Sequence, residues 1–322
     1  MARRRRALIT GIDGQDGSYL AESLVADGYE VTGMLRSPHG RDAPSLAAVQ
    51  SQIEFVTGDL LDRGSLRRAV EDTRPDELYH LAAPTFVPAS WEDPSETIAA
   101  IATATATLLA AARAGRHSAR VWVSTSSEVF GDAGESPQHE RSPMRPRTPY
   151  GVAKLAAHGL VGAMRRRHGL FACSGITYNH ESPRRPMHFV TRKVTRAAAA
   201  IHLGLEHELV LGDLSAIRDW SHAADVMRAA RLALSHDAPD DYVVASGVGR
   251  TVEEFVQAAF AHVGLDPGAY VQVDRNLMRP TEATPPVGDP SRAREVLGWR
   301  PDRSFESLVA EMVDADLAAL RG

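Results

Sequence analysis

Lysine is almost missing from this chain. Of its 36 lysines and arginines only Lys154 and Lys193 are lysine; the other 34 are arginine. Cysteine is scarcer still. Cys173 stands alone in an apolar run, which excludes an internal disulfide and fits a reduced, cytoplasmic setting. Long apolar runs are absent too. No stretch approaches the roughly 18 residues of a membrane span. The apolar run after the arginines at 3–6 stops at Thr10 and Gly11, too soon for a signal peptide, and those arginines read as a solvated tail. A net charge of −5 and a pI near 6.2 argue against nucleic acid as the partner. Thirteen histidines show no zinc-like spacing with Cys or Glu, so no metal site is expected. What remains is an ordinary globular balance, 43% hydrophobic and 24% charged over 322 residues, enough for one large core or two modest ones.

Apolar, β-prone runs alternate with helical stretches. Strands are expected at 7–10, 30–35, 53–57, 77–81, 119–124 and 171–177, with helices near 18–27, at 94–114 and from 149 onward. Such alternation predicts an α/β fold with a doubly wound parallel sheet. The first strand runs into Gly11, Gly14, Gln15, Asp16 and Gly17. Glycines three apart between a strand and a helix let the backbone approach a pyrophosphate at the helix N-terminus. Alone the spacing is an ordinary turn; on the first strand-helix junction it marks a dinucleotide-binding Rossmann unit. An acid at the end of the second strand would favour a free ribose hydroxyl, and an arginine a 2′-phosphate. No Asp or Glu lies between 31 and 40, and Arg36 occupies that place, so NADP is expected rather than NAD. Asp59 and Leu60 follow the third strand as adenine contacts. Leu81 ends the fourth, and the small Ala83 lets the backbone close on the cofactor.

Ser126, Ser127 and Glu128 follow the strand at 119–124, at the edge where open α/β sheets bind ligands. Thr148 and Pro149 suit the N-cap and first turn of a helix, on which Tyr150 and Lys154 share a face at i, i+4. Elsewhere this spacing is a surface tyrosine beside a solvated lysine. Here a chain that uses arginine nearly everywhere places one of its two lysines there. A phenol with a reference pKa near 10 needs about three units of help, roughly 4 kcal/mol, to act as a base near neutrality. A cation about 4 Å away supplies on the order of 4 kcal/mol at an effective dielectric of 20. Tyr150 beside Lys154 is thus expected to take a proton from an alcohol while hydride leaves the same carbon. Glu128 adds a second step: a carboxylate removes the hydrogen acidified by the new ketone, and the next carbon loses water. Ser126 and Ser127 position the ketone or the leaving group. The bland alternative for Glu128 is a loop carboxylate paired with an arginine.

From 179 onward the chain reads as a smaller, mixed lobe over the mouth of the sheet. The expected division is a cofactor domain at 1–178, which also carries the catalytic residues, and a substrate lobe at 179–322, parts of which return to the sheet. A strand is expected at 242–245, with helices near 252–263 and 305–319; 211–220 and 278–282 read as polar, turn-rich stretches. Lys193, Arg218 and Arg279 are each, singly, a surface charge. Beside a nucleotide-binding half they are expected to converge on a diphosphate.

These residues together resemble the extended short-chain dehydrogenase/reductase superfamily and, within it, the GDP-mannose 4,6-dehydratase family. The likeness runs through nearly the whole chain. It rests most specifically on ALITGIDGQDGSYLA at 7–21, YNHESPRR at 178–185 with FVTRK at 189–193, RDW at 218–220 and RPTE at 279–282. The resemblance implies Tyr150 as base at O4 of a sugar, Glu128 as base at C5, and Ser126 in place of the family's threonine. It implies NADP contacts from His180 and Arg185. It also implies that Asn179, Lys193, Arg218, Arg279 and Glu282 hold the nucleotide diphosphate and its base. The implied reaction is conversion of GDP-mannose to GDP-4-keto-6-deoxymannose by a hydro-lyase. A 4-epimerase or decarboxylase of the same superfamily, or a non-enzymatic NADP-binding sensor, is the alternative. The implied partner is a nucleotide-diphosphate sugar. The segment between Arg36 and Ile53 is shorter than the family's, so the expected assembly is a homodimer through the long helices, with a tetramer as the alternative. After Ala83 the family's Gln-Ser-His-Val becomes Pro84, Thr85, Phe86 and Val87. Thr85 keeps a hydroxyl for the sugar, whereas Pro84 and Phe86 drop polar groups, which leaves a related hexose or heptose open as substrate.

Overall fold

The computed structural model describes residues 3–114, 118–278 and 283–322. The first half alternates as its apolar pattern dictates. β1 (Arg6–Thr10), α1 (Gln15–Ala26), β2 (Glu30–Leu35), β3 (Ile53–Thr57), α2 (Arg63–Thr73) and β4 (Glu77–His80) come first. Then follow α3 (Pro94–Ile98), a π-helical turn at Ala99–Thr103, α4 (Ala104–Ala114), β5 (Arg120–Ser124), α5 (Pro149–His168) and β6 (Ala172–Thr177). The second half continues with β7 (Asn179–Glu181), α6 (Val190–His202), β8 (Leu209–Leu211), β9 (Ile217–His222), α7 (Ala223–Ser235) and β10 (Asp241–Val244). It ends with β11 (Gly249–Thr251), α8 (Val252–His262), β12 (Val271–Val273), α9 (Ser291–Leu297) and α10 (Phe305–Arg321).

Seven strands form one parallel sheet in the order β10-β6-β5-β4-β1-β2-β3. Alternate residues of each strand serve opposite faces. Ile9, Tyr79, Trp122 and Cys173 pack with α1 and α7 on one side. Leu8, Leu78, Val121, Val123 and Ala172 pack with α2, α4 and α5 on the other. Burial on both faces is greatest for the central strands, β4 and β5 among them, and is why those read as largely apolar runs. A three-stranded sheet, β11-β9-β7, and the pair β12-β8 lie in the second half with α6, α8 and α10, around a core that includes Trp220, Phe255, Phe260 and Met312.

Several sequence expectations need correction. The first helix begins at Gln15 rather than 18, so Gln15, Asp16 and Gly17 are its first turn. The stretch at 211–220 is not all turn: Ile217–His222 is the central strand of the smaller sheet. Its alternation was hidden because Asp219, a charged residue, is fully buried there. The helical run Pro94–Ala114 is long and apolar enough to cross a membrane by length and composition, contrary to expectation, but more than half of it is buried inside the fold. Arg279 and Glu282 lie outside the described residues.

Candidate active site

The sheet order turns back between β1 and β4, and their carboxyl ends open a crevice. Gly11 closes the first turn at φ +71°, where a Cβ would meet the Ala82 backbone at 3.0 Å. At Gly17 a Cβ would lie 2.2 Å from the Gly11 carbonyl oxygen. Gly14 is the N-cap of α1 and provides no side-chain cap, so the helix end stays open to an anion. This cradle fits a dinucleotide pyrophosphate. Thr10, which the sequence reading missed, ties the two strand ends: its hydroxyl accepts from the Leu81 and Ala82 amides at 3.1 Å each. Its own proton is therefore directed at His80 Nδ1, 2.9 Å away, and burial pushes that imidazole down to about 3.

The opposite wall comes from the segment after β6. Gln15 donates to the His180 carbonyl at 3.1 Å and accepts from the Ser182 hydroxyl at 2.8 Å. Asp16 faces His180 Nε2 at 2.9 Å. Arg184 reaches Ser18 at 2.9 Å and Glu22 at 2.5 Å, with its guanidinium over Tyr19. Arg185 lies beside Glu181 and over the Phe189 ring. The segment YNHESPRR is therefore the latch between the glycine turn and the second half, and Ser182 and Arg184 are parts of it that sequence reasoning did not single out.

Thr148 caps α5 as expected, accepting from the Gly151 amide at 3.0 Å. Tyr150 and Lys154 are both buried on this helix. Burial raises the Tyr150 phenol above its ordinary value. A hydrogen bond from Ser126 opposes this, the charge of Glu128 adds to it, and Arg185 and Asp16 also act on it. Ser126, Glu128, Arg185 and Asp16 thus all lie near enough to Tyr150 to act on its phenol. Lys154 Nζ donates to the Ser124 carbonyl at 2.7 Å and sits 5.6 Å from the Tyr150 ring centroid. Burial pulls the lysine down to about 8. Ser126 also caps the turn that carries Glu128, accepting its amide at 3.3 Å.

Arg36 is exposed beyond β2 and makes no ion pair among the described residues. Asp59 and Leu60 are half-buried beyond β3, and one Asp59 oxygen accepts the Leu61 amide at 2.8 Å. Ser127 is half-buried and Thr85 is exposed near the same edge. Asn179 begins β7, and Lys193 is exposed on α6 with no ion pair among the described residues. Arg218 lies on β9, where its guanidinium donates to the Ile217 carbonyl. Asp219, between Arg218 and Trp220, is structural: it accepts from Ser246 N and Oγ and from the Gly247 and Gly288 amides.

A family model described as GDP-mannose 4,6 dehydratase matches residues 8–312. GDP-mannose 4,6 dehydratase 2 of Arabidopsis thaliana is 45% identical over 326 residues, covering 98% of this chain and 87% of that protein. Among solved structures, RMD from Pseudomonas aeruginosa complexed with NADPH superposes with a TM-score of 0.81 at 25% identity, over 98% of this chain and 99% of that one. DesIV, the dTDP-glucose 4,6-dehydratase of Streptomyces venezuelae with NAD and TYD bound, gives 0.82 at 26% identity, over 96% of each chain. A chain with this sheet, glycine turn and Tyr-Lys helix, matched from residue 8 to residue 312, belongs to the GDP-mannose 4,6-dehydratase family of extended short-chain dehydrogenase/reductases.

Proposed function

We propose that this chain is an NADP-dependent nucleotide-sugar 4,6-dehydratase, a hydro-lyase that converts GDP-mannose to GDP-4-keto-6-deoxymannose. One observation carries the reading. Glu128 lies near enough to Tyr150 for its charge to act on the phenol, so two groups able to handle protons stand on the same side of a dinucleotide cradle. Oxidation of an alcohol needs only one of them.

Gly11, Gly14 and Gly17 take the pyrophosphate, with Gln15 and Asp16 beside it; Arg36 takes the 2′-phosphate, Asp59 and Leu60 the adenine, and Leu81 and Ala83 close on the nicotinamide side, with His180 and Arg185 opposite. When bound, NADP accepts hydride from C4, returns it to C6, and while oxidised adds a positive charge that favours tyrosinate. Tyr150 takes the O4 proton through its phenol oxygen, with Ser126 as hydrogen-bond partner and Lys154 supplying further positive charge. Glu128 then takes the C5 proton and gives it to the departing C6 hydroxyl, which leaves as water. The proton held by Tyr150 returns to C5. The net change is loss of one water.

The lobe from 179 onward holds the nucleotide, with Asn179, Lys193 and Arg218 among its described residues and Arg279 and Glu282 outside them. Thr85 and Ser127 face the sugar. Ile98 and Val152, 43% and 47% exposed on the long helices, support a homodimer through that face, with a tetramer as the alternative. The setting we take is cytoplasmic, as a chain with a single cysteine, the buried Cys173, would suit.

The test is incubation with GDP-mannose and NADP followed by mass spectrometry. Loss of one water supports the reading, and intact substrate counts against it. Glu128→Gln separates the alternatives. It should lower dehydration by at least about 100-fold, whereas a 4-epimerase, which needs no base at C5, would keep its activity.

A further inference from the structure

The loop that leaves β4 reaches across the mouth of the sheet. Ala83 and Val87 pack on the cluster of Ile101, Tyr150, Ala153 and Ala157, which fixes both ends of 84–86 to the Tyr150 helix. Phe86, held between them, turns to the facing wall. Its ring meets His188 edge-on at 5.0 Å and 80°, and Phe189 at 6.4 Å and 89°. The His188 and Phe189 rings lie 4.4 Å apart, and the Arg185 guanidinium covers Phe189 at 3.6 Å. Phe189 is the N-cap of α6, and Lys193 stands one turn further on. This aromatic row therefore joins the Tyr150 side of the crevice to the Lys193 side. Phe86 nonetheless keeps 41% of its surface open. A ring anchored on both flanks and left open at a ligand crevice is placed to touch what enters.

We propose that Phe86, backed by His188, is the specificity-determining wall of the hexose pocket and meets the sugar by apolar contact rather than by hydrogen bonds. The inference rests on the 4,6-dehydratase reading. On that reading the hexose lies between Tyr150 and a diphosphate held from α6, and the aromatic row spans that interval. A phenyl ring has no donor or acceptor to leave unpaired. An apolar wall separates ligands that differ by one hydroxyl or methylene by about 10- to 200-fold, whereas a wall of paired hydrogen bonds separates them by about 10,000-fold or more. The enzyme is therefore expected to dehydrate more than one hexose of its nucleotide class.

The experiment compares wild type, Phe86→Ala and Phe86→Leu on GDP-mannose and a panel of GDP-hexose epimers, with NADP affinity measured separately by fluorescence. In the wild type, kcat/KM should spread over no more than about 200-fold across the panel. Phe86→Ala should raise KM for the best sugar by about 10-fold or more at little change in kcat and unchanged NADP affinity. Phe86→Leu, which keeps an apolar wall, should stay within about threefold of wild type. An unchanged KM in Phe86→Ala, or a wild type that accepts one epimer alone, overturns this inference while leaving the dehydratase reading intact. A wild type that binds NADP yet removes water from no member of the panel overturns the dehydratase reading, and this inference with it.

Discussion

His180 sits between two acceptors. Its Nε2 lies 2.9 Å from Asp16 Oδ2, and its Nδ1 lies 2.7 Å from the Tyr178 carbonyl oxygen. A carbonyl and a carboxylate can only accept, so both ring nitrogens carry protons and the ring is an imidazolium. Burial alone would lower its pKa, but the charge and hydrogen bond of Asp16 outweigh burial and raise it. Burial likewise disfavours the Asp16 carboxylate, and His180 prevails and lowers it. The pair joins the glycine turn, at the start of the chain, to the latch of the second half.

Asp16→Asn should therefore move the His180 titration downward, below the ordinary histidine value, as followed by NMR of the ring protons. The sign of the linkage follows. Stability from the raised histidine is fully present below the unfolded histidine pKa and lost as pH rises through the folded one. Stability from the lowered carboxylate is present above the unfolded carboxylate pKa and lost as pH falls through the folded one. The pair thus stabilises most in mildly acid solution. A His180 titration unmoved in the variant would contradict this.

Lys154 sets an alkaline limit. Burial brings it down to about 8, so its ammonium loses charge as pH rises through that value. With it goes the positive charge that favours tyrosinate at Tyr150, and kcat should fall on the alkaline side near pH 8. Lys154→Arg keeps the charge over the whole range. It should remove that limb, while lowering kcat because a guanidinium does not reproduce the bond from Nζ to Ser124. A limb unchanged in Lys154→Arg would assign it to another group.

Asp219 is fully buried, with four donors pointed at it. Asp219→Ala strands three backbone amides, each costing about 1–3 kcal/mol when unpaired. The expected loss is about 4 kcal/mol in urea unfolding, measured without substrate or cofactor. A loss below about 1 kcal/mol would mean that the loops at 246–247 and 288 do not depend on this carboxylate.

The strand skeleton was legible because a parallel sheet covered on both faces buries whole strands and so favours apolar, β-prone runs: β6 buries all six of its residues. Tyr150 and Lys154 were legible because their spacing is helical and lysine is so rare here. The tie between Asp16 and His180 was not legible, since the partners lie 164 positions apart and neither is unusual in its own segment. Strand β9 was hidden for a related reason. Its buried carboxylate is satisfied by amides from distant loops, and no local pattern distinguishes that from a polar turn. The bond from the Lys154 ammonium to the Ser124 carbonyl was not legible either, since the partners lie 30 positions apart.

The central claim is that the cofactor is only borrowed, because Tyr150 and Glu128 serve one sugar. GDP-mannose deuterated at C4 tests it most directly. The product should carry the deuterium on C6, with one water lost and no net change in the ratio of oxidised to reduced NADP. Deuterium left on C4, or found in reduced NADP alongside an oxidised sugar that has lost no water, would contradict it.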